Sequence, residues 1–434
     1  MAVRRVFDHK IFIGPHFSSA SIGFPYDQLA LVVLAAPLAF VTAAVVAQMN
    51  PGSRPRATEW AIRRASDLGL LAAATGAVLT IRHGLLLSPT LGRQGLGLSV
   101  RLDPLTIVML CMVSLLAALI VRYSLNYLAG DDRQGVFLGR LAVTIAAVEV
   151  LVVSGNLVLL VGAWVATSLF LYRLLLFYDE RPGAQVAGRK RFIATRIGDA
   201  CLIAAATLLY VQLGTGDLEQ IFTALEAADP VRWSLEATGM AALGIALAGA
   251  LMAAQFPTHG WLVEVMETPT PVSTLLHAGI LNAGPFLVAR FTFVVDGSTL
   301  AQSFLIVVGG FTVLFSSTTL LTQTAIKKAL GYSSAAHMGF MLMVCGFGVY
   351  PAARPSASHP RQHRHRCGLL RRLCPALGHQ PVARTGTPGD QGAARPGARA
   401  DYRPGEPIRR PPLRAPKECR PPVPDRDSGG AGRC

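Results

Sequence analysis

The chain has 434 residues, of which 52% are hydrophobic and only 15% are charged, and its mean hydropathy is +0.44. This composition excludes an ordinary soluble enzyme and indicates a protein that crosses a membrane several times. The net charge of +15 is concentrated at one end, because residues 354–434 hold 17 of the 40 Lys and Arg residues and only 6 of the 25 Asp and Glu residues. Since most of the excess charge belongs to this one segment, the sequence does not indicate a nucleic-acid-binding protein.

Ten apolar runs, each long enough for a helix to cross a bilayer, follow one another along the chain. We predict them at residues 27–48, 66–87, 104–122, 136–154, 156–178, 195–214, 235–256, 272–294, 301–321 and 332–350. Lys and Arg, with Arg191 counted on one side of the membrane and Arg290 on the other, are more frequent in every second connection. The positive-inside rule therefore places the loop at residues 179–196 in the cytoplasm and the N-terminus outside. The fold prediction is an all-α, polytopic transmembrane helix bundle with discontinuous helices over residues 27–353.

The two ends of the chain are predicted to lie outside this bundle. Residues 1–26 contain two arginines close to the start but no apolar h-region and no small-residue cleavage site, so we expect an extramembrane segment and no cleaved signal. Residues 354–434 hold 14 of the 28 prolines and 16 arginines, and we expect a basic, disordered tail.

The tail is also unusual for a disordered segment, because it has a single Lys and three Gln. Most of its residue types have GC-rich codons. We interpret residues 354–434 as an out-of-frame reading, which leaves the bundle incomplete at its C-terminus. The alternative is a natural basic tail that is attracted to the anionic head groups of the lipid bilayer.

Residues 252–291 join two apolar runs through a segment that cannot form one continuous helix. Pro257, Pro269 and Pro271 interrupt helical hydrogen bonding, and Gly260 loosens the backbone. Broken backbone at membrane depth is tolerated only inside protein or beside a water-filled cavity. We therefore predict a transporter whose working site lies at this helix break.

The same stretch carries four titratable residues, His259, Glu264, Glu267 and His277. Ionisable groups at membrane depth are costly and mark ion paths, and histidine titrates near neutral pH. All four are therefore candidates for ion translocation. The alternatives are a hydrogen-bonded core histidine for His277, a solvated interfacial turn for the two glutamates, and a capping or loop residue for His259.

A second polar stripe, at residues 322–340, supplies three further candidates, Lys327, Lys328 and His337. The stripe runs directly into the next apolar span and is therefore a candidate for the lining of an ion path. The alternative for the two lysines is a positively charged flank of a span on the cytoplasmic side.

Two more polar pairs have structural interpretations. Asp103 before Pro104 predicts the N-terminus of a helix, and Arg196 and Asp199 are expected to form an ion pair just inside a helix. We find no phosphate-binding loop, no dinucleotide-binding fingerprint and no metal-spaced set of Cys and His in the membrane part. No catalytic residue, cofactor or metal site is predicted in this chain.

Several segments resemble the antiporter-like membrane subunits of respiratory NADH:quinone oxidoreductase. They are RLDPLTIVML, SGNLVLLVGAW, ATRIGDACLI, LYVQLGTGDL and LTQTAIKKALGYSSAAHMGF. Three others, AWVATSLFLYRLLLFY, HGWLVEVMETPTPVS and LLHAGILNAG, are more similar to one branch of that family, the membrane subunit of the DAB-type inorganic carbon pump. The resemblance covers residues 98–353.

This resemblance implies a bundle in the bacterial inner membrane that moves protons or sodium ions. In the pump branch it also implies a zinc-containing, carbonic-anhydrase-like partner subunit (DabA-type), and ion flow that drives net hydration of CO2 to bicarbonate. The alternative is a proton-pumping subunit of NADH:quinone oxidoreductase or of a multisubunit cation/proton antiporter. A third class is a membrane scaffold that transports nothing.

The chain departs from the respiratory members at two positions of the resemblance. Their glutamate that follows a tryptophan is replaced by Val165, which follows Trp164, and their lysine three residues before a glutamine is replaced by Met252. Glu264 stands where those members have an aspartate, and His277 matches their histidine. The resemblance therefore implies roles for His277 and Glu264, and it weighs against a respiratory subunit.

Overall fold

The structure, a computed structural model, describes residues 27–93, 96–178, 180–227, 237–265 and 268–348. The segments predicted at residues 1–26 and 354–434 fall outside these ranges. Glu267 is also outside them, so its predicted role stays a prediction.

Within these ranges the chain forms fourteen α-helices and four short β-strands. The helices are α1 (Ala35–Met49), α2 (Arg56–His83), α3 (Pro104–Tyr127), α4 (Gln134–Val153), α5 (Leu157–Leu175), α6 (Pro182–Leu213), α7 (Leu218–Ala227), α8 (Ala237–Met252), α9 (Gly260–Glu264), α10 (Thr270–Ala278), α11 (Ala283–Arg290), α12 (Thr292–Asp296), α13 (Thr299–Leu321) and α14 (Ile326–Gly346). A 3-10 helix (Asp27–Leu34) precedes α1 and another (Ile280–Asn282) separates α10 from α11.

The strands lie between α2 and α3 and form two antiparallel pairs. β1 (Leu86–Leu87) pairs with β4 (Arg101–Leu102), and β2 (Leu91–Arg93) pairs with β3 (Leu96–Leu98). The sequence analysis did not predict these strands, because each is too short to show an alternating pattern.

Eight helical segments of the described chain are long and apolar enough to cross a membrane. They are Gln28–Met49, Arg56–His83, Pro104–Tyr127, Gln134–Val153, Leu157–Leu175, Gly183–Leu213, Thr270–Arg290 and Thr299–Leu321. The remaining two predicted positions are occupied by α8, a shorter apolar helix, and by α14. The chain is therefore an all-α, multi-pass membrane protein, as predicted.

Two helices begin well before the apolar runs that predicted them. α2 starts at Arg56 and α6 starts at Pro182, whereas the apolar runs were placed at residues 66–87 and 195–214. Much of the predicted cytoplasmic loop at residues 179–196 is therefore helix. Hydropathy marks only the part of a helix that suits lipid, and a helix continues beyond it as long as its backbone bonds are satisfied.

Side-chain caps define where several helices start. The carboxylate of Asp103 accepts a hydrogen bond from the Thr106 N–H at 2.7 Å, which confirms the predicted N-terminus of α3. The Asn156 side chain accepts from the Leu159 N–H at 2.8 Å at the start of α5. Such caps satisfy backbone donors that have no partner within the helix.

Small residues allow the helices to pack closely. A Cβ atom at Gly309 of α13 would lie 2.6 Å from the carbonyl oxygen of Gly339 in α14, a distance that real Cβ atoms do not show. A Cβ atom at Gly284 of α11 would lie 2.9 Å from the Cβ of Ala253, just beyond α8. Both contacts are typical of membrane bundles, in which association depends on close backbone packing.

Candidate functional site

The chain breaks between α8 and α9. It turns through Ala254, whose φ of +52° is uncommon for a residue with a side chain. The Gln255 N–H donates to the Ala250 carbonyl at 3.2 Å, five residues back, and the Phe256 N–H donates to the Thr312 hydroxyl of α13 at 3.1 Å. Backbone groups that the break frees are thus satisfied inside the protein, as broken backbone at membrane depth requires.

The four predicted helix-break residues have different positions. Pro257 lies in the connection and Gly260 is the first residue of α9. Pro269 directly precedes α10, and Pro271 lies in its first turn, where a missing N–H removes no helical hydrogen bond. Two of the three prolines therefore begin a helix instead of interrupting one.

His277 is the last residue but one of α10, directly before the second interruption of the chain at the 3-10 helix. Both of its ring nitrogens are buried, and neither has a hydrogen-bond partner in the part of the chain that the structure describes. This differs from the hydrogen-bonded core histidine that was the alternative interpretation. Leaving a buried polar group unsatisfied costs free energy, so the unpaired ring keeps His277 a candidate for ion translocation.

Glu264, at the end of α9, forms an ion pair with Lys190 of α6. The Lys190 Nζ donates to the Glu264 Oε1 at 2.5 Å, and both side chains are partly exposed. The second carboxylate oxygen, Oε2, is buried and has no partner among the described residues. The pair therefore joins α6 to the broken-helix segment and leaves one acceptor free.

Arg191, the next residue of α6, was counted among the cytoplasmic loop charges, and the structure corrects this. Its side chain is among the largest fully buried ones, with 1% of its surface exposed. The guanidinium carbon lies 4.5 Å from the ring centre of Trp261, and Nη2 lies 3.9 Å from the Met252 sulfur. Nε and Nη1 have no hydrogen-bond partner among the described residues. A buried guanidinium with so few partners is costly, which makes Arg191 a candidate functional residue.

The predicted pair of Arg196 and Asp199 is confirmed on the next turns of α6. Arg196 Nη2 lies 2.5 Å from Asp199 Oδ2, and the Ser168 hydroxyl of α5 donates to the same oxygen at 3.2 Å. Asp199 Oδ1 is buried without a partner in the described part of the chain, and Asp199 also interacts electrostatically with Arg191. Along α6, Lys190 and Arg191 thus contact α9, whereas Arg196 and Asp199 pair with each other against Ser168 of α5.

His259 occupies the N-cap position of α9 but makes no capping hydrogen bond through its side chain. Its ring packs instead against Phe256 at 5.6 Å and Phe315 at 5.0 Å between centroids. It is a half-buried residue of an aromatic cluster, and its role in translocation stays a prediction.

Lys327, Lys328 and His337 all lie on α14 and are exposed. The two lysines belong to its first turn, and the His337 Nδ1 lies 2.8 Å from the Ser333 carbonyl oxygen. The structure does not bring these three side chains to His277, and their predicted role remains untested.

Arg290 is a second buried arginine that the sequence analysis counted as a loop charge. Arg290, at the end of α11, places Nη1 2.5 Å from the Asp103 Oδ2, and its Nη2 donates to the Thr106 hydroxyl at 2.6 Å and to the Val152 carbonyl at 3.3 Å. Its side chain is only 2% exposed. The sequence signal was weak, because an Arg at the end of an apolar run is typical of an interfacial anchor.

The same carboxylate binds a second arginine from β4. Arg101 Nε lies 2.9 Å from the Asp103 Oδ2, and Arg101 also pairs with Glu219 of α7. Burial alone would raise the pKa of Asp103, but the charges of Arg290 and Arg101 and the Thr106 N–H outweigh it and lower the pKa to about 2. Asp103 is therefore a fixed negative charge at the start of α3.

Among the described residues no group of three or more His, Cys, Asp or Glu side chains is arranged to hold a metal ion. The polar chemistry of this part of the chain is that of charged and hydrogen-bonding groups.

Two segments match known families. Residues 154–354 match the family described as NADH:quinone oxidoreductase/Mrp antiporter, TM, and residues 90–138 match NADH-Ubiquinone oxidoreductase (complex I), chain 5 N-terminus. The chain belongs to the antiporter-like membrane subunits. This confirms the resemblance noted over residues 98–353.

Relatives within the antiporter-like family include carbon transporter and respiratory subunits. The chain is 38% identical over 330 residues to the probable inorganic carbon transporter subunit DabB2 of Halothiobacillus neapolitanus, a match of 74% of this chain and 59% of the relative. It is 33% identical over 267 residues to NADH-quinone oxidoreductase subunit L of Rhodobacter capsulatus, a match of 58% of this chain and 38% of the relative.

A solved member of the family, in the Mrp complex from Dietzia sp. DQ12-45-1b, superposes on this antiporter-like chain with a TM-score of 0.59. The two are 28% identical, and the match covers 72% of this chain and 34% of that one. The chain spans about half, or less than half, of the length of the curated relatives named above.

Proposed function

We propose that this chain is the ion-translocating membrane subunit of an energy-coupled inorganic carbon uptake pump in a bacterial inner membrane. The ion is a proton or sodium. The observation that carries the proposal is the unpaired, buried ring of His277 beside a broken helix, in a family whose members sit in ion-moving membrane complexes.

The chemistry of the break suits ion transfer. The ring of His277 on α10 and the free carboxylate oxygen of Glu264 on α9 lie on the broken segment between α8 and α11, and Lys190 of α6 brings a positive charge to Glu264. Groups of this kind take up and release ions as their hydration and charge environment change. A helix break supplies the necessary freedom, because its backbone is not held by a continuous ladder of helical hydrogen bonds.

The choice of the carbon pump over a respiratory complex has two supports. The match to a probable inorganic carbon transporter subunit is longer and closer than the match to subunit L. In addition, Val165 and Met252 stand where the resemblance assigns a glutamate and a lysine to the respiratory members. A chain without these two groups needs other residues for its charge transfer.

The proposal includes a partner subunit that contains zinc and resembles a carbonic anhydrase. In this picture the zinc activates water for CO2 hydration in the partner, and the present chain supplies the coupled ion flow. Bicarbonate is then the product that accumulates in the cell.

Co-purification tests the partner and the pump together. The full chain, expressed from its own gene neighbourhood with an affinity tag, should retain a large zinc protein that mass spectrometry identifies. Uptake of labelled inorganic carbon by the same cells should stop when an uncoupler collapses the ion gradient. Retention of respiratory or antiporter subunits in place of the zinc protein would contradict the pump and support the alternative.

That alternative is a proton-pumping subunit of NADH:quinone oxidoreductase or of a multisubunit cation/proton antiporter. The similarity to subunit L and to the Mrp complex supports it. Both proposals share the ion path at the broken helix and differ in the partner proteins.

A further inference from the structure

Glu149 is a carboxylate buried inside the helix bundle, on a helix that does not belong to the broken segment. It lies in α4, and none of its surface is exposed. α4 is one of the helices long and apolar enough to span the membrane. An ionisable residue in such a position is expensive and requires an explanation.

Three other helices enclose the Glu149 carboxyl group. The Ser114 hydroxyl of α3 donates to Oε1 at 3.4 Å. A Cβ at Gly69 of α2 would meet the same oxygen at 3.4 Å and the Phe40 ring of α1 at 3.5 Å, so the glycine gives the carboxyl its space. The other oxygen, Oε2, is buried and has no partner in the described part of the chain.

No positive charge balances this carboxyl group among the described residues. The charged pair of Asp67 of α2 with Arg122 of α3, at 3.3 Å, lies on the exposed surface. The Cys111 thiol of α3 lies 3.9 Å from the Ala73 carbonyl oxygen of α2. At the carboxyl group itself, α3 supplies the Ser114 hydroxyl and α2 the backbone of Gly69, while Arg290 of α11, which reaches the Val152 carbonyl of α4, is paired with Asp103.

A carboxylate that is removed from water without a cation is far less stable than a neutral carboxylic acid. In a neutral acid, one oxygen accepts from Ser114 and the other carries the proton, so no net charge is left buried. We propose that Glu149 and Ser114 form a proton-binding site in the α1–α4 part of the bundle, separate from the site at the broken helix. This site is a second proton position for the proposed ion translocation. Its role in transport rests on that proposed function, but the protonation of Glu149 does not.

Infrared spectroscopy of the purified full chain in lipid tests the site without any transport assay. A protonated carboxyl group has a C=O stretching band that an ionised carboxylate lacks. We expect this band at neutral pH in the unmodified chain, its complete loss in Glu149→Gln, and a shift of its frequency in Ser114→Ala, where the hydrogen bond is removed. Exchange into D2O should shift the band as well, because a proton that serves transport is exchangeable.

Glu180→Gln is the matched control, since Glu180 is an exposed carboxylate with a side chain 79% accessible. This variant should leave the band unchanged. If no band is present at neutral pH, or if Glu149→Gln and Glu180→Gln give the same spectrum, Glu149 is ionised and the inference is wrong. Failure of carbon uptake with the band intact would instead contradict only the proposed function.

Discussion

Arg191 of α6 places its Nη2 3.9 Å from the sulfur of Met252, the last residue of α8. The resemblance to respiratory subunits assigns a lysine to the Met252 position, so a neighbouring helix brings a buried positive charge to the place where the chain lacks one. Unlike lysine, a guanidinium stays charged in proteins. The cation at this point of the bundle is therefore permanent.

This relationship predicts that Arg191 is required for transport. Arg191→Met should reduce uptake of labelled inorganic carbon to background, because it removes the buried charge while it keeps an apolar side chain against Trp261. The double variant Arg191→Met with Met252→Lys should recover part of the uptake. Arg189→Met, a change of a neighbouring arginine, is the control. Full activity of Arg191→Met would show that the charge has no part in transport.

His277 is predicted to be required for ion transfer. We expect His277→Ala to lower carbon-dependent growth and uptake by roughly 100-fold or more, the scale on which proton-transferring side chains act. Expression is held equal by immunoblot. His83→Ala, which changes an exposed histidine at the end of α2, should have little effect, and equal losses in the two variants would count against a special role of His277.

Glu264→Gln is expected to impair transport more than Glu267→Gln, because Glu264 joins α9 to Lys190 of α6. The pair is partly exposed, so its loss should change stability by only about 0–1 kcal/mol. Uptake measured alongside the thermal unfolding of both variants separates the two effects. The double variant Lys190→Glu with Glu264→Lys, which exchanges the two charges, should transport more than either single variant. If it does not, the position of each charge matters more than their pairing.

Asp103 should stabilise the fold in a pH-dependent manner. Its pKa is about 2 in the folded chain and 3.8 ordinarily, so its contribution is fully present above about pH 4 and is lost as pH falls towards 2. The shift corresponds to about 2 kcal/mol. The folded chain, followed by thermal unfolding in detergent, should therefore become less stable as the pH falls from about 4 towards 2.

Asp103→Asn should remove that pH dependence. It should also lower stability at neutral pH by about 3–5 kcal/mol, because it leaves Arg290 buried without its anion. Asp67→Asn, at an exposed pair, is the control and should change little. A pH profile shared by all three proteins would assign the acid sensitivity to other groups.

The interpretation of residues 354–434 as an out-of-frame reading stays a prediction, because these residues lie outside the described part of the chain. Resequencing of the DNA around codon 353 and translation of the other two frames test it. We expect one frame to encode further long apolar spans. If neither does, the segment is a native basic tail and should bind vesicles that contain anionic lipid.

The sequence predicted the helices well because lipid imposes a simple rule on them. Apolar length marked helical positions throughout, and Asp103 and the pair of Arg196 and Asp199 were interpreted correctly from local spacing. These features depend on residues that are close together in the chain. The break near Pro257 was predicted on the same basis.

The three most informative buried groups were not predicted. Arg191 and Arg290 were counted as loop charges, and Glu149 was passed over within an apolar span. Whether a charge near the end of a span faces water or the interior depends on the packing of distant helices, which the local pattern does not contain. The lone Glu149 in its run was the one usable signal, since a carboxylate in a span is rarely placed without function.

The Arg290–Asp103 contact constrains how the broken-helix segment can move. Arg290 ends the helix that follows the break, Asp103 starts α3, and Arg101 continues the chain of charges to Glu219 on α7. Any displacement of α11 must carry the start of α3 with it or separate buried opposite charges, at a cost of about 3–5 kcal/mol. A motion that keeps the Arg290–Asp103 pair intact leaves α11 against the start of α3 and is confined to the stretch between α8 and α11.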